Sequence, residues 1–138
     1  MEKDIFSIFQ VQDQEIYQDQ GLDIFNDDYT NLGTVVTGVE NYLILDQMYC
    51  FKYPEKYQRV RQSIRKTYLD KLFTFLTKVS IDNSQMVEDF LHEFTINRIT
   101  KSLTFLLTFY ESTEDYENCI IIKKFLDKFL REKLHAYQ

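Results

Sequence analysis

The sequence predicts an all-α protein, a bundle of four or five helices preceded by an extended, acidic N-terminal arm. Three observations indicate this fold. All three glycines and the single proline lie within the first 54 of the 138 residues. Beyond them, apolar side chains recur every three or four positions, as one face of a helix requires. Hydrophobic residues make up 44% of the chain, which suits the core of one ordinary domain.

Residues 1–33 form the predicted arm, which carries eight Asp and Glu side chains against one lysine. Apolar residues stand isolated in this acidic background, and the candidate anchors among them are Ile5, Phe6, Phe9, Ile24 and Phe25. Such anchors suit a segment that folds onto a surface, either the body of its own chain or a partner protein. We favour its own body, because that docking needs no second protein.

The helical domain is predicted to span residues 34–138, and its first segment, residues 34–51, has an ambiguous pattern. Val35, Val39 and Tyr42 fit a helix, whereas the β-branched run at 34–36 and the apolar run at 42–45 could pair as strands around Gly38. We favour a helix. The rest of the body offers no other strand candidate, and a lone hairpin would be only marginally stable.

A long helix from Pro54 to Val79 is the predicted centre of the domain. Its apolar stripe consists of Tyr57, Val60, Ile64, Tyr68, Leu72, Phe75 and Val79. Pro54 suits a first helical turn, where its missing N–H is not needed. After Thr67 further apolar residues lie off this stripe, so we expect the second half of the helix to be covered by other helices.

Basic residues are concentrated toward the start of this helix. Residues 52–78 together carry eight Lys and Arg side chains against two acids. The candidate binding residues are Arg59, Arg61, Arg65 and Lys66. Cations and aromatic side chains on one helix are typical of nucleic-acid binding. However, these cations are spread around the helix, and the acidic arm would repel phosphates. We therefore interpret them as a docking site for an acidic segment.

The remaining residues predict a third helix and then a helical hairpin at about 96–136. A capping box at Asp82 and Gln85 is expected to start the third helix, which should break near Thr95. Ser112 and Asp115 are placed for another capping box, ahead of a last helix with a seam at Cys119, Ile122, Leu126 and Phe129. Ile120, Ile121 and Phe125 lie outside that seam, so we predict a partner surface there.

The start of the last helix also has a family likeness. Asp115-Tyr116-Glu117, followed by Cys119, Lys123 and Leu126, resembles the second helix of the UVR-type hairpin of bacterial nucleotide-excision and stress-adaptor proteins. The resemblance covers about two dozen residues and implies a protein–protein interaction element. The chain departs from that family at two places, with Cys119-Ile120 for paired alanines and Lys123-Lys124 for an Arg-Asp pair.

Residue patterns that would support catalysis are weak. Asp89 and His92, like Glu132 and His135, have the spacing of di-metal helical bundles, but Phe90 and Leu134 are expected to occupy the buried faces of those helices. Glycine-rich phosphate loops are missing from the sequence. We therefore expect no enzyme, metal or cofactor.

The remaining patterns bear on the compartment. Cys50 and Cys119 form no C-x-x-C unit, so we expect buried free thiols in a reducing compartment, the cytoplasm. The acidic start of the chain argues against a signal peptide, and no apolar run is long enough for a membrane span.

These patterns predict a non-enzymatic helical protein–protein interaction module that self-associates as a homo-oligomer or belongs to a larger assembly. One alternative is a small acidic inhibitor or regulator, of the phage or mobile-element type, which binds a basic groove on an enzyme. A further alternative is a nucleic-acid-binding protein that uses the basic helix at 54–79.

Overall fold

A computed structural model of the chain describes residues 27–135. They form five helices: α1 (Asp28–Lys52), α2 (Pro54–Thr77), α3 (Ser84–Glu93), α4 (Ile96–Ser112) and α5 (Tyr116–His135). Residues 27–135 contain no strand, so the all-α prediction is confirmed. The proposed anchors of the arm, Ile5, Phe6, Phe9, Ile24 and Phe25, lie outside the described residues.

Helix α1 includes the segment whose sequence pattern was ambiguous, and that segment is helical. Val35 and Val36 are fully buried, so the packing of these β-branched residues outweighs their preference for strands. The helix also begins earlier than the expected boundary at residue 33. Asp27 accepts a hydrogen bond of 2.7 Å from the Thr30 N–H, and this N-cap starts the helix at Asp28.

Helices α1 and α2 are joined at Tyr53 and pack closely where α1 carries Gly38. A Cβ atom at Gly38 would lie 2.5 Å from Cδ2 of Leu72, whereas one at Gly33 would lie 3.7 Å from the Phe94 ring. The Tyr68 hydroxyl also donates to the Gly38 carbonyl at 3.2 Å. The missing side chain at Gly38 therefore lets α2 approach α1.

These two glycines provide a matched test of the α1–α2 contact. Gly33→Ala should raise the free energy of unfolding by about 0.5–1 kcal/mol, because alanine favours the helix and meets only ordinary contacts. Gly38→Ala should lower the free energy of unfolding by about 1 kcal/mol. The new methyl group would crowd Leu72, and this cost exceeds the gain from the helix preference of alanine. Urea denaturation measures both. Equal shifts in the two variants would contradict the close approach at Gly38.

The main core forms between the second half of α2 and the other four helices. On α2 it includes Leu69, Leu72, Phe73, Phe75 and Leu76, all buried. This burial confirms that the second half of α2 is covered by other helices. A smaller core of Tyr42, Tyr57 and Ile64 lies between α1 and the first half of α2.

The turns before α3 and α4 differ only slightly from the expected ones. Asn83, not Asp82, caps α3, because the Asn83 side chain accepts from the Met86 N–H at 3.1 Å. The expected break near Thr95 is confirmed, and the Thr95 hydroxyl accepts from the Arg98 N–H at 3.2 Å to start α4.

The expected capping box at Ser112 is wrong. Ser112 is the last residue of α4, and its hydroxyl donates to the Phe109 carbonyl at 2.6 Å. Asp115 instead accepts from the Asn118 N–H at 3.4 Å and caps α5. Between the two helices, Glu114 takes a φ of 61°, which turns the chain so that α4 and α5 pack as the expected hairpin.

Candidate interaction surfaces

The basic half of α2 binds an acid that belongs to α1. Asp46 is only 6% exposed and accepts two hydrogen bonds from Arg61, Nε to Oδ1 at 2.9 Å and Nη2 to Oδ2 at 2.8 Å. The Tyr57 hydroxyl donates to Oδ1 at 2.8 Å. Arg65 lies beside them, with its Nη2 3.5 Å from Oδ2. Two of the four predicted cations therefore pair with an acid of α1.

Protonation states in this cluster follow from its geometry. Burial raises the pKa of the Asp46 carboxyl, but the hydrogen bonds from Arg61 and Tyr57 outweigh burial and hold that pKa below its ordinary value. Burial and the bond to Asp46 raise the pKa of Tyr57. The cluster is an ionised carboxylate with neutral tyrosine and cationic arginine partners, and it fastens α1 to α2.

The other two predicted cations lie apart from this cluster. Lys66 pairs with Asp70 on its own helix, Nζ to Oδ2 at 2.7 Å, and the other oxygen of Asp70 accepts from the buried Tyr110 at 2.8 Å. Arg59 is exposed. The structure thus brings together only Arg61 and Arg65, and it gives them a partner in α1. The sequence predicts that an acidic segment docks on all four cations, whereas Asp46 of α1 pairs with two of them.

The predicted partner residues of α5 are also separated. Ile120 is 56% exposed, but Phe125 is buried in the core and Ile121 packs partly buried against it. Helix α5 contacts α3 as well as α4, so it buries more of its circumference than the single seam that the spacing suggested. The prediction of an outward Phe125 is therefore wrong, and Ile120 alone of the three is exposed.

Large apolar side chains that are exposed within residues 27–135 occur on two helices. On α1 they are Leu43, Ile44, Met48 and Phe51, and on α5 they are Tyr116, Ile120, Leu130 and Leu134. We call the first set the α1 face. Seven of these eight residues are not among the predicted partner-binding residues, and Ile120 is the exception. Their helical spacing, at 44, 48 and 51 for example, was a usable signal.

The α1 face adjoins a groove of about 1000 Å³ between α1 and α4. Leu43, Ile44 and Phe105 supply apolar lining. Arg98 marks one end with a bidentate pair to Glu40, both contacts 2.8 Å, and this hydrogen bonding lowers the pKa of the Glu40 carboxyl. The groove therefore combines apolar lining with the Arg98–Glu40 ion pair and the exposed cation Lys101.

Groups that could support other chemistry are few in this part of the chain. Within residues 27–135, no three His, Cys, Asp or Glu side chains are arranged to hold a metal ion. Cys50 is half-buried, Cys119 is buried, and both are free thiols. Among the five helices, none combines the length and the apolar character that crossing a membrane requires.

Comparisons of the chain with protein-family models, with curated proteins and with solved structures each found no match. The resemblance of the last helix to the second helix of a UVR-type hairpin therefore stays a prediction.

Proposed function

We propose that this chain is a non-enzymatic helical protein–protein interaction module that associates with copies of itself. The observation that carries this proposal is the grouping of exposed apolar side chains on two helices, α1 and α5. Scattered exposed apolar residues are normal on any protein. Exposed apolar residues that recur along one face of a helix are less common and are typical of protein interaction sites.

Both helices are well anchored on their inner sides. Val39 and Tyr42 of α1, and Ile122 and Phe129 of α5, are fully buried, so the outward residues are held in fixed positions. Anchors that recur at helical spacing on a fixed helix are the usual means by which helical surfaces recognise protein partners. A preformed surface of this kind also loses little conformational entropy on binding.

The two alternative functions have less support from the described residues. Nucleic-acid binding relied on four cations, of which Arg61 and Arg65 pair with Asp46 while Lys66 pairs with Asp70. The acidic-inhibitor hypothesis relies on the arm, which lies outside the described residues. Both stay hypotheses.

Static light scattering on size-exclusion fractions tests the proposal. We expect the measured mass to rise from that of one chain toward that of two as the concentration increases from about 10 µM to about 1 mM, the range in which modest helical interfaces assemble. A mass that stays at one chain throughout this range would contradict self-association.

A further inference from the structure

The outer surface of α5 carries a pattern that is complementary to itself. Six exposed residues follow one another at intervals of four, three, four, three and four: Tyr116, Ile120, Lys123, Asp127, Leu130 and Leu134. We call these six the α5 face. Intervals of three and four place the residues along one seam of a helix, as in a coiled coil. The order is two apolar residues, a cation, an anion and two apolar residues.

We infer that two copies of the chain associate through antiparallel pairing of their α5 faces, an interface that rests on the self-association proposed above. A second α5 turned end to end puts Tyr116 opposite Leu134 of the second copy and Ile120 opposite its Leu130. Lys123 then lies opposite Asp127 of the second copy. Each match occurs twice, because the two-fold axis that relates the copies makes the interface isologous.

The charges select the antiparallel direction. In a parallel pair, Lys123 would lie against Lys123 of the second copy and Asp127 against its Asp127, and like charges oppose association. In the antiparallel pair, both contacts become ion pairs. On one flank of the seam, Glu117 also lies near Arg131 of the second copy. The two Lys124 side chains meet near the axis, which opposes pairing but involves a single contact.

The geometry of α5 leaves this face available to a second copy. The opposite side of the helix is buried through Cys119, Ile122, Phe125 and Phe129. The helix has 20 residues, about 30 Å at 1.5 Å per residue, so the three matches, each made twice, fit along its length. The α1 face lacks an equivalent pattern, since Ile44, Met48 and Phe51 enclose no pair of opposite charges.

Two single charge reversals test the register. Lys123→Glu and Asp127→Lys each turn both central ion pairs into repulsions, so each variant alone should dissociate, with the dimer Kd raised roughly tenfold or more. Mixed in equal amounts, the two variants should form a heterodimer with a Kd near that of the unmodified chain. In that heterodimer, both central contacts again join opposite charges. The double variant should also recover dimerisation.

Sedimentation equilibrium provides the Kd values, and circular dichroism checks that each variant remains helical. Lys56→Glu and Glu88→Lys make the same charge changes at exposed positions of α2 and α3, so they control for net charge and should leave the Kd unchanged.

Recovery of the dimer in the mixture supports the antiparallel α5 interface. Association that is unaffected by either reversal would overturn the α5 interface. If Met48→Asp then abolished that association, the interface would lie on the α1 face and the proposed self-association would still hold. An unmodified chain that stays monomeric would overturn the α5 interface and the proposed self-association together.

Discussion

Replacing Asp46 with alanine is expected to lower the free energy of unfolding by about 3 kcal/mol, because removal of one partner from a buried ion pair leaves the others uncompensated. Arg61 would lose two hydrogen bonds, and the hydroxyl of the fully buried Tyr57 would lose its acceptor. Both arginines retain some access to water, which keeps the effect below the upper end for such pairs.

Urea denaturation at neutral pH measures this loss, and Glu40→Ala is the matched control. Glu40 also forms a bidentate pair with an arginine, but its side chain is 35% exposed and that of Arg98 is 43% exposed. Exposed pairs contribute little to stability. If Asp46→Ala lowered the free energy of unfolding no more than Glu40→Ala does, the claim that the buried cluster holds α1 against α2 would be contradicted.

The same variant has a pH signature. Since the folded pKa of Asp46 lies below its unfolded value, the carboxylate stabilises the fold above the unfolded pKa, about 3.9. That stabilisation is lost as the pH falls through the folded pKa. The difference in stability between the unmodified chain and Asp46→Ala should therefore shrink as the pH falls below about 4.

Replacing Phe90 with alanine is expected to lower the free energy of unfolding by about 4 kcal/mol, the middle of the range for truncation of a buried phenylalanine. Phe90 is fully buried and makes ring contacts with three aromatic residues. The Phe94 ring stacks on it at 4.2 Å between centroids, Tyr29 of α1 meets it edge-on at 5.3 Å, and Phe129 of α5 lies at 5.9 Å. Its removal would leave a cavity between three helices.

Phe51→Ala is the control for this truncation, since it removes the same side chain from a position that is 91% exposed. It should change the free energy of unfolding by no more than about 0.5 kcal/mol. Thermal and urea denaturation of both variants give the comparison. If Phe90→Ala and Phe51→Ala lowered the free energy of unfolding by similar amounts, the packing of α3 into the core would be contradicted.

Much of the fold could be predicted from spacing and from helix breakers. The period of three and four through Tyr57, Ile64 and Leu72 located α2, and the loss of that period after Phe94 located the break before α4. These signals are local in the sequence, so a single sequence is enough to predict the helices from them. The start of α1 was missed because its cap, Asp27, lies within a run of acids that looked like part of the arm.

The candidate surfaces were harder to predict, because exposure depends on which neighbours a helix acquires. Phe125 lies off the expected seam of α5, yet the packing of α3 and α4 buries it. Met48 and Phe51 share a helix with buried residues, yet no described helix covers them. Likewise, the pairing of Arg61 and Arg65 with Asp46 cannot be predicted from the sequence, because it depends on the packing of α1 against α2.

Cross-linking of the unmodified chain tests the self-association through α5 most directly. A carbodiimide joins a lysine amine to a carboxylate in contact, and an equal mixture of unlabelled and nitrogen-15-labelled chains distinguishes links between copies from links within one copy. We predict cross-linked peptides that contain one light and one heavy chain and that join Lys123 to Asp127. Cross-links confined to single chains, or links between copies that map to α1 instead, would contradict pairing through α5.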